Sequence, residues 1–99
     1  MYRVRLLAAV YRERKALPGV IRQRIKKIID DLEDNPRLHN SIALQLDNME
    51  IWEARRIRVD DWRIIYAIDE EFQQVAILAI RQRPPYDYED LGDLFSNLE

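Results

Sequence analysis

At 99 residues, with 47% hydrophobic and 34% charged side chains, the chain has room for one small domain, 1–99, built on a single core, and none for a second. It has no cysteine, which excludes disulfide frameworks, thiolate metal sites and cysteine nucleophiles, and it opens on Tyr2-Arg3-Val4-Arg5 without the apolar run of a signal peptide or spanning helix, so a soluble, cytoplasmic protein with no membrane partner is expected. The net charge of −2 conceals a division: all 16 Lys and Arg lie at or before Arg83, whereas five of the 18 acids fall in the last 13 residues, which leaves residues 1–86 at +3.

Tyr2 to Leu6 alternates polar and apolar residues and reads as a strand. Ala8 to Leu17 is rich in helix formers and is stopped by Pro18-Gly19. In the next segment Val20, Ile21, Ile25, Ile28, Ile29 and Leu32 recur at helical spacing, leaving Arg22, Arg24, Lys26, Lys27, Asp30 and Asp31 toward water. Asn35-Pro36 ends that helix, so the two form a hairpin. Residues 37–48 carry little periodicity and read as a loop, with Leu44 and Leu46 under the core. Met49 to Val59, Trp62 to Asp69 and Gln74 to Arg81 are rich in β-branched and aromatic residues. The polar breaks Asp60-Asp61 and Glu70-Glu71 join these three strands into an antiparallel meander. A short last helix is a candidate around Glu89 to Leu98, after Pro84-Pro85. The expected fold is α+β, in the order β-α-α-β-β-β, with the helical hairpin packed on one face of a four-stranded antiparallel sheet.

Most catalytic constellations are missing. His39 is the sole histidine and is read as structural, Ser41 and Ser96 sit in no nucleophile elbow, and Gly19 and Gly92 cannot make a phosphate-cradling loop. What remains is arginine, 13 of the 16 basic residues, whose planar fork suits bidentate binding of phosphate. Arg56 and Arg58 share one face of their strand by even spacing, as do Arg81 and Arg83, and a two-residue turn brings Arg58 beside Arg63. Arg55 adjoins this group. Such a gathering suits an anionic partner, either a phosphodiester backbone or an acidic protein segment. The alternative is internal salt bridging, for which Glu53, Asp60, Asp61 and Asp69 are near in sequence. Tyr86 and Tyr88 follow directly and could stack on a base, share a proton or belong to the core.

The stretch RIRVDDWRIIYAID, Arg56 to Asp69, resembles the central signature of RelE/ParE toxins, in which an arginine-bearing strand turns into one that begins tyrosine-arginine and ends in tyrosine. Trp62-Arg63-Ile64-Ile65-Tyr66 fills that place. AILAIRQRPPYDY, Ala76 to Tyr88, resembles the last strand of the family, with its terminal arginine and following tyrosine. The resemblance implies a toxin of a type II toxin-antitoxin system that enters the ribosomal A site and cuts mRNA by 2'-hydroxyl attack on the adjacent phosphate, with no metal or other cofactor. It implies that Arg63 orients the scissile phosphate and that Arg56 stands where the family commonly has a lysine stabilising the pentacoordinate state. Arg83 would stabilise the leaving oxygen, with Tyr86 or Tyr88 stacking or relaying a proton, and Arg55, Arg58 and Arg81 would bind RNA. A cognate antitoxin is the implied protein partner, in a hetero-oligomer. Two departures stand out. No lysine follows Met49 and arginine stays protonated, so the general base is unassigned, with Glu53 as one candidate, and the family's glycine before the aromatic-arginine pair is here Asp60 or Asp61. Other members of the family poison DNA gyrase without cutting RNA, and an inactivated, antitoxin-binding module is a third reading.

Overall fold

The computed structural model describes residues 1–44 and 51–83. In chain order these form β1 (Arg3–Leu6), α1 (Ala8–Lys15), α2 (Gly19–Asp34), β2 (Ser41–Ala43), β3 (Trp52–Val59), β4 (Trp62–Asp69) and β5 (Gln74–Gln82). The candidate last helix, Leu46, Tyr86 and Tyr88 lie outside the described residues.

The α+β reading and the helical hairpin hold, but the sheet has five strands in the order β1-β5-β4-β3-β2 and is mixed rather than wholly antiparallel. The meander β3-β4-β5 is antiparallel, as its short turns require, while β1 runs parallel to β5 with Val4 beside Val75 and Leu6 beside Ile77. A parallel neighbour needs a long crossover. Here the crossover is most of the chain, so no local pattern reveals it. The fifth strand, β2, falls inside the segment read as a loop. It pairs only three residues with β3 and leaves Ile42 and Ala43 exposed, so it lacks the alternation that marks a half-buried strand.

One face of the sheet packs on the helices. Ile57, Val59, Ile64, Tyr66, Ile68, Val75, Ile77 and Ile80 meet Val10, Leu17, Ile25, Ile29 and Leu32 there. The apolar stripe of α2 faces inward as its spacing predicts, except at its first residue. Val20 is 71% exposed, because the stripe engages the sheet only from Ile21 onward. Leu17 is buried in the core just past α1, whose last turn is closed by backbone bonds from Ala16 and Leu17 to Glu13 and Arg14. Among the described residues no helix is long and apolar enough to cross a membrane.

Candidate functional site

The face of the sheet turned away from the helices carries the arginines. Across the three central strands Arg58 lies opposite Arg63, and Arg63 opposite Arg81, so the three form one straight row. Arg56 stands in the next row but one, opposite Ile65, on the same face. Neighbouring strands lie ~4.8 Å apart, and like charges placed directly opposite one another disfavour the sheet. The row therefore suits an anion laid across it.

A bulge makes the row possible. The pairing of β4 with β5 shifts between Ile65 and Tyr66, whose partners are Ala79 and Ile77, leaving Leu78 as the extra residue. Each extra residue reverses the faces of everything beyond it. Ile80 consequently turns toward the helices and Arg81 toward Arg63; without the bulge Arg81 would point into the hairpin. The sequence alone placed Arg81 with Arg83, but left open whether that pair shared a face with Arg56 and Arg58.

The β3–β4 turn holds these side chains in place. Arg63, only 9% exposed, donates from one terminal nitrogen to the carbonyls of Asp60 (3.1 Å) and Trp62 (2.9 Å), and Arg58 Nε donates to the same Asp60 carbonyl (3.1 Å). The backbone N–H of Arg83 donates to the Asp61 carbonyl (2.6 Å), and Gln82 donates to the Asp61 carboxylate (3.1 Å). One two-residue turn thus gathers groups from β3, β4 and the end of β5. None of these carbonyl acceptors is visible in a motif, because any residue type could supply them.

Asp60 adopts φ 54°, the left-handed region in which glycine is unstrained. Asp60→Gly should relieve that strain at the cost of an exposed ion pair with Arg24, for a net gain of roughly 0.5–1 kcal/mol and a few degrees in Tm by calorimetry. A fall in Tm would contradict it.

Arg55 does not join the row. Its register opposite Tyr66 puts it on the helix side, where it donates to Ser41 Oγ (2.9 Å), the Ser41 carbonyl (3.2 Å) and Glu53 (2.8 Å), fastening β2 to β3. Arg55, expected to sit with the RNA-binding arginines, instead lies apart from the row. Glu53 lies on the same side and also binds Arg37 (3.0 Å), which reaches Glu70 (3.0 Å) as well, so its carboxylate is turned away from the row and is not placed to act as its base. Asp69 is likewise committed, accepting the Phe72 N–H. Arg56 and Arg58 make no ion pair among the described residues.

This second network sets an acid limit on stability. Burial pushes the Glu53 carboxyl upward, but hydrogen bonds from Arg37 and Arg55 outweigh it and hold the group below its usual 4.5. Tyr2 and Arg37 lower Glu70 in the same way. A carboxyl depressed in the folded state contributes fully above its unfolded pKa, and the contribution disappears as pH falls through the folded pKa. Wild-type Tm should therefore drop as pH is lowered below about 4.5, and Glu53→Gln should flatten that decline. Parallel Tm–pH curves for the two would remove Glu53 from the account.

Tyr66 is fully buried on the helix face, where its hydroxyl donates to the Pro36 carbonyl (2.6 Å) and burial raises its pKa. It belongs to the core. His39 is exposed, and Arg83 lies two residues beyond Arg81 with its Nε buried. Arg37 and Ser41, which hold the helix-side network, had no signal in the sequence beyond their polarity.

A helical hairpin on one sheet face and a row of arginines on the other, two of them held by the β3–β4 turn, define a small α+β protein with a cationic sheet face. Residues 4–84 match the family model described as the ParE toxin of the type II toxin-antitoxin system parDE. The chain belongs to this family, within the RelE/ParE superfamily of toxins. Among solved structures, it is similar to the archaeal RelE in the RelE-RelB complex from Pyrococcus horikoshii OT3, with TM-score 0.75 and 26% identity over 84% of this chain and 96% of that one. It is also similar to a chain of the RelBE2 toxin-antitoxin complex of Mycobacterium tuberculosis, with TM-score 0.68 and 26% identity over 83% and 98%. The isolated E. coli RelE toxin shares the fold at TM-score 0.64 and 16% identity over the whole of both chains. No curated protein sequence is significantly similar to this chain.

Proposed function

We propose that this chain is a ribosome-dependent mRNA endonuclease that arrests translation, and that a cognate antitoxin holds it inactive in a hetero-oligomer. The observation that carries the reading is the arginine row: Arg58, Arg63 and Arg81 aligned across three strands, with Arg56 beside them. In the proposed reaction the 2'-oxygen bonds to the adjacent phosphorus, the bond from phosphorus to the 5'-oxygen breaks, and the products are a cyclic phosphate and a 5'-hydroxyl. Arg63 grips the scissile phosphate. Arg56 meets the charge of the pentacoordinate state, Arg83 that of the leaving oxygen, and Arg58 and Arg81 hold flanking phosphates. Cations fixed in advance where charge develops lower the barrier by several kcal/mol. Arginine stays protonated, so it cannot take the 2'-hydroxyl proton. Tyr86 or Tyr88 is proposed to stack on a base or relay a proton. Arg55 has no part in RNA binding in this proposal.

The antitoxin is proposed from relatives whose structures are RelE-RelB complexes, with the site of action in the cytoplasm. The match to a ParE model favours a second reading, inhibition of gyrase by binding without cleavage. Controlled expression in bacteria, with mRNA 5' ends mapped during growth arrest, separates the two. New cuts within translated codons that vanish in Arg63→Ala and Arg83→Ala support the nuclease. Arrest without cuts supports the gyrase reading, and absence of arrest points to an inactivated module.

A further inference from the structure

The hairpin of α1 and α2 carries a second cationic surface, on the opposite side of the sheet from the arginine row. From Arg12 to Lys27 the chain has seven basic residues against one acid, Glu13, a net charge of +6 over 16 residues in a chain whose total is −2. Part of this has an internal explanation, since Arg12, Arg14 and Lys15 occupy the last turn of α1, where a helix dipole favours cations. The rest does not. The first turn of α2 has no acid, and Arg22 and Arg24 follow close behind it, where the dipole favours anions.

Among the described residues, internal pairing compensates little of the charge. Lys26 and Lys27 meet Asp30 (3.3 Å) and Asp31 (3.2 Å) in exposed i,i+4 pairs, an arrangement worth only ~0.3–0.5 kcal/mol each. The side chains of Arg12, Lys15 and Arg22 are exposed and make no hydrogen bond or ion pair among the described residues. An external polyanion would satisfy them.

The shape of the surface selects among polyanions. An anionic membrane needs an exposed apolar helix face to enter, but that of α2 is spent on the sheet, leaving Val20 and Tyr11 as the exposed large apolar side chains here. Single-stranded nucleic acid stacks its successive bases on several aromatic platforms, and among the described residues this surface has one aromatic side chain, Tyr11, with Arg14 5.8 Å from its ring centre. Rigid helices bearing cations and no stacking platform suit the regular backbone of a duplex, which proteins recognise by shape and phosphate position. Arg24 reaches round to Asp60 in the turn that braces Arg58 and Arg63, so this surface borders the row.

We propose that the α1–α2 hairpin is a docking surface for the phosphate backbone of base-paired RNA, separate from the arginine row. The proposal takes from the nuclease reading only that the nucleic acid is RNA. The test uses the full chain carrying Arg63→Ala, with and without Arg12→Ala, Lys15→Ala and Arg22→Ala together, and follows its binding to a 16-base-pair RNA duplex by fluorescence anisotropy from 50 to 200 mM salt. Each lost duplex phosphate contact should reduce the slope of log affinity against log salt by about 0.9. The triple replacement should therefore flatten the slope by roughly 2–3 and weaken binding at 50 mM at least tenfold. Removing Arg3 and Arg5 instead, two exposed arginines of β1, should leave the slope unchanged. Equal binding by the triple variant would overturn the proposal. So would an equal loss on removing Arg3 and Arg5, or tighter binding to phosphatidylserine vesicles than to the duplex. Failure of the nuclease reading has a different signature: no new mRNA 5' ends from the chain with Arg63 intact, with duplex binding still dependent on Arg12, Lys15 and Arg22.

Discussion

Arg63→Ala should lower the rate of mRNA cleavage on programmed ribosomes by about 10²–10³-fold, the usual cost of deleting one preorganised donor to a developing negative charge. Arg63 is singled out by its position at the centre of the row and by its bracing. One terminal nitrogen is committed to the Asp60 and Trp62 carbonyls, which fixes the guanidinium plane at the centre of the row. Lysine lacks the planar fork that makes this anchor, so Arg63→Lys should recover little of the loss. Arg58 is exposed and anchored by one bond, and Arg58→Ala should cost about tenfold, mainly in substrate affinity. Single-turnover rates at saturating toxin measure these effects. Melting curves on the same variants check that the turn survives, since Arg63 also supports it. An Arg63→Ala rate within tenfold of wild type would remove Arg63 from the chemistry.

Tyr66→Ala should destabilise the fold by about 3–5 kcal/mol, enough to threaten folding in a domain of this size, because it empties a fully buried aromatic site between the sheet and α2. Tyr66→Phe isolates the hydroxyl. It leaves the Pro36 carbonyl without its donor and should cost roughly 1–3 kcal/mol by urea denaturation. Cleavage by folded Tyr66→Phe should be unchanged, since the hydroxyl lies on the helix side of the sheet and the arginine row on the other. A large loss of rate with normal stability would instead make this tyrosine part of the site. The bond also accounts for the position of the residue. It ties the end of α2 to the middle of β4, and with Arg55, Ser41 and Glu53 it fixes the connection into β2.

Much of the architecture was legible in the residues. The stripe of Ile25, Ile29 and Leu32 predicted α2, and Asn35-Pro36 its end. The runs around Asp60-Asp61 predicted two strands joined by a tight turn, with Trp62–Asp69 found at the expected bounds. These are local signals, because helix period and turn chemistry are properties of neighbouring residues. The three-residue β2 and the parallel pairing of β1 depend instead on partners distant in the chain, so they went unread.

By itself the sequence determined the residue types available to the site, many arginines with one histidine and no cysteine, along with the helical hairpin, the meander and the adjacency of Arg58 and Arg63. Tertiary structure decided which of those arginines lie together. Strand alternation assigns a face only relative to neighbours on the same strand, and a single extra residue reverses it. The bulge at Leu78 brought Arg81 into line with Arg63, register against Tyr66 sent Arg55 and Glu53 to the helix side, and the Asp60 carbonyl then held Arg58 and Arg63 in place.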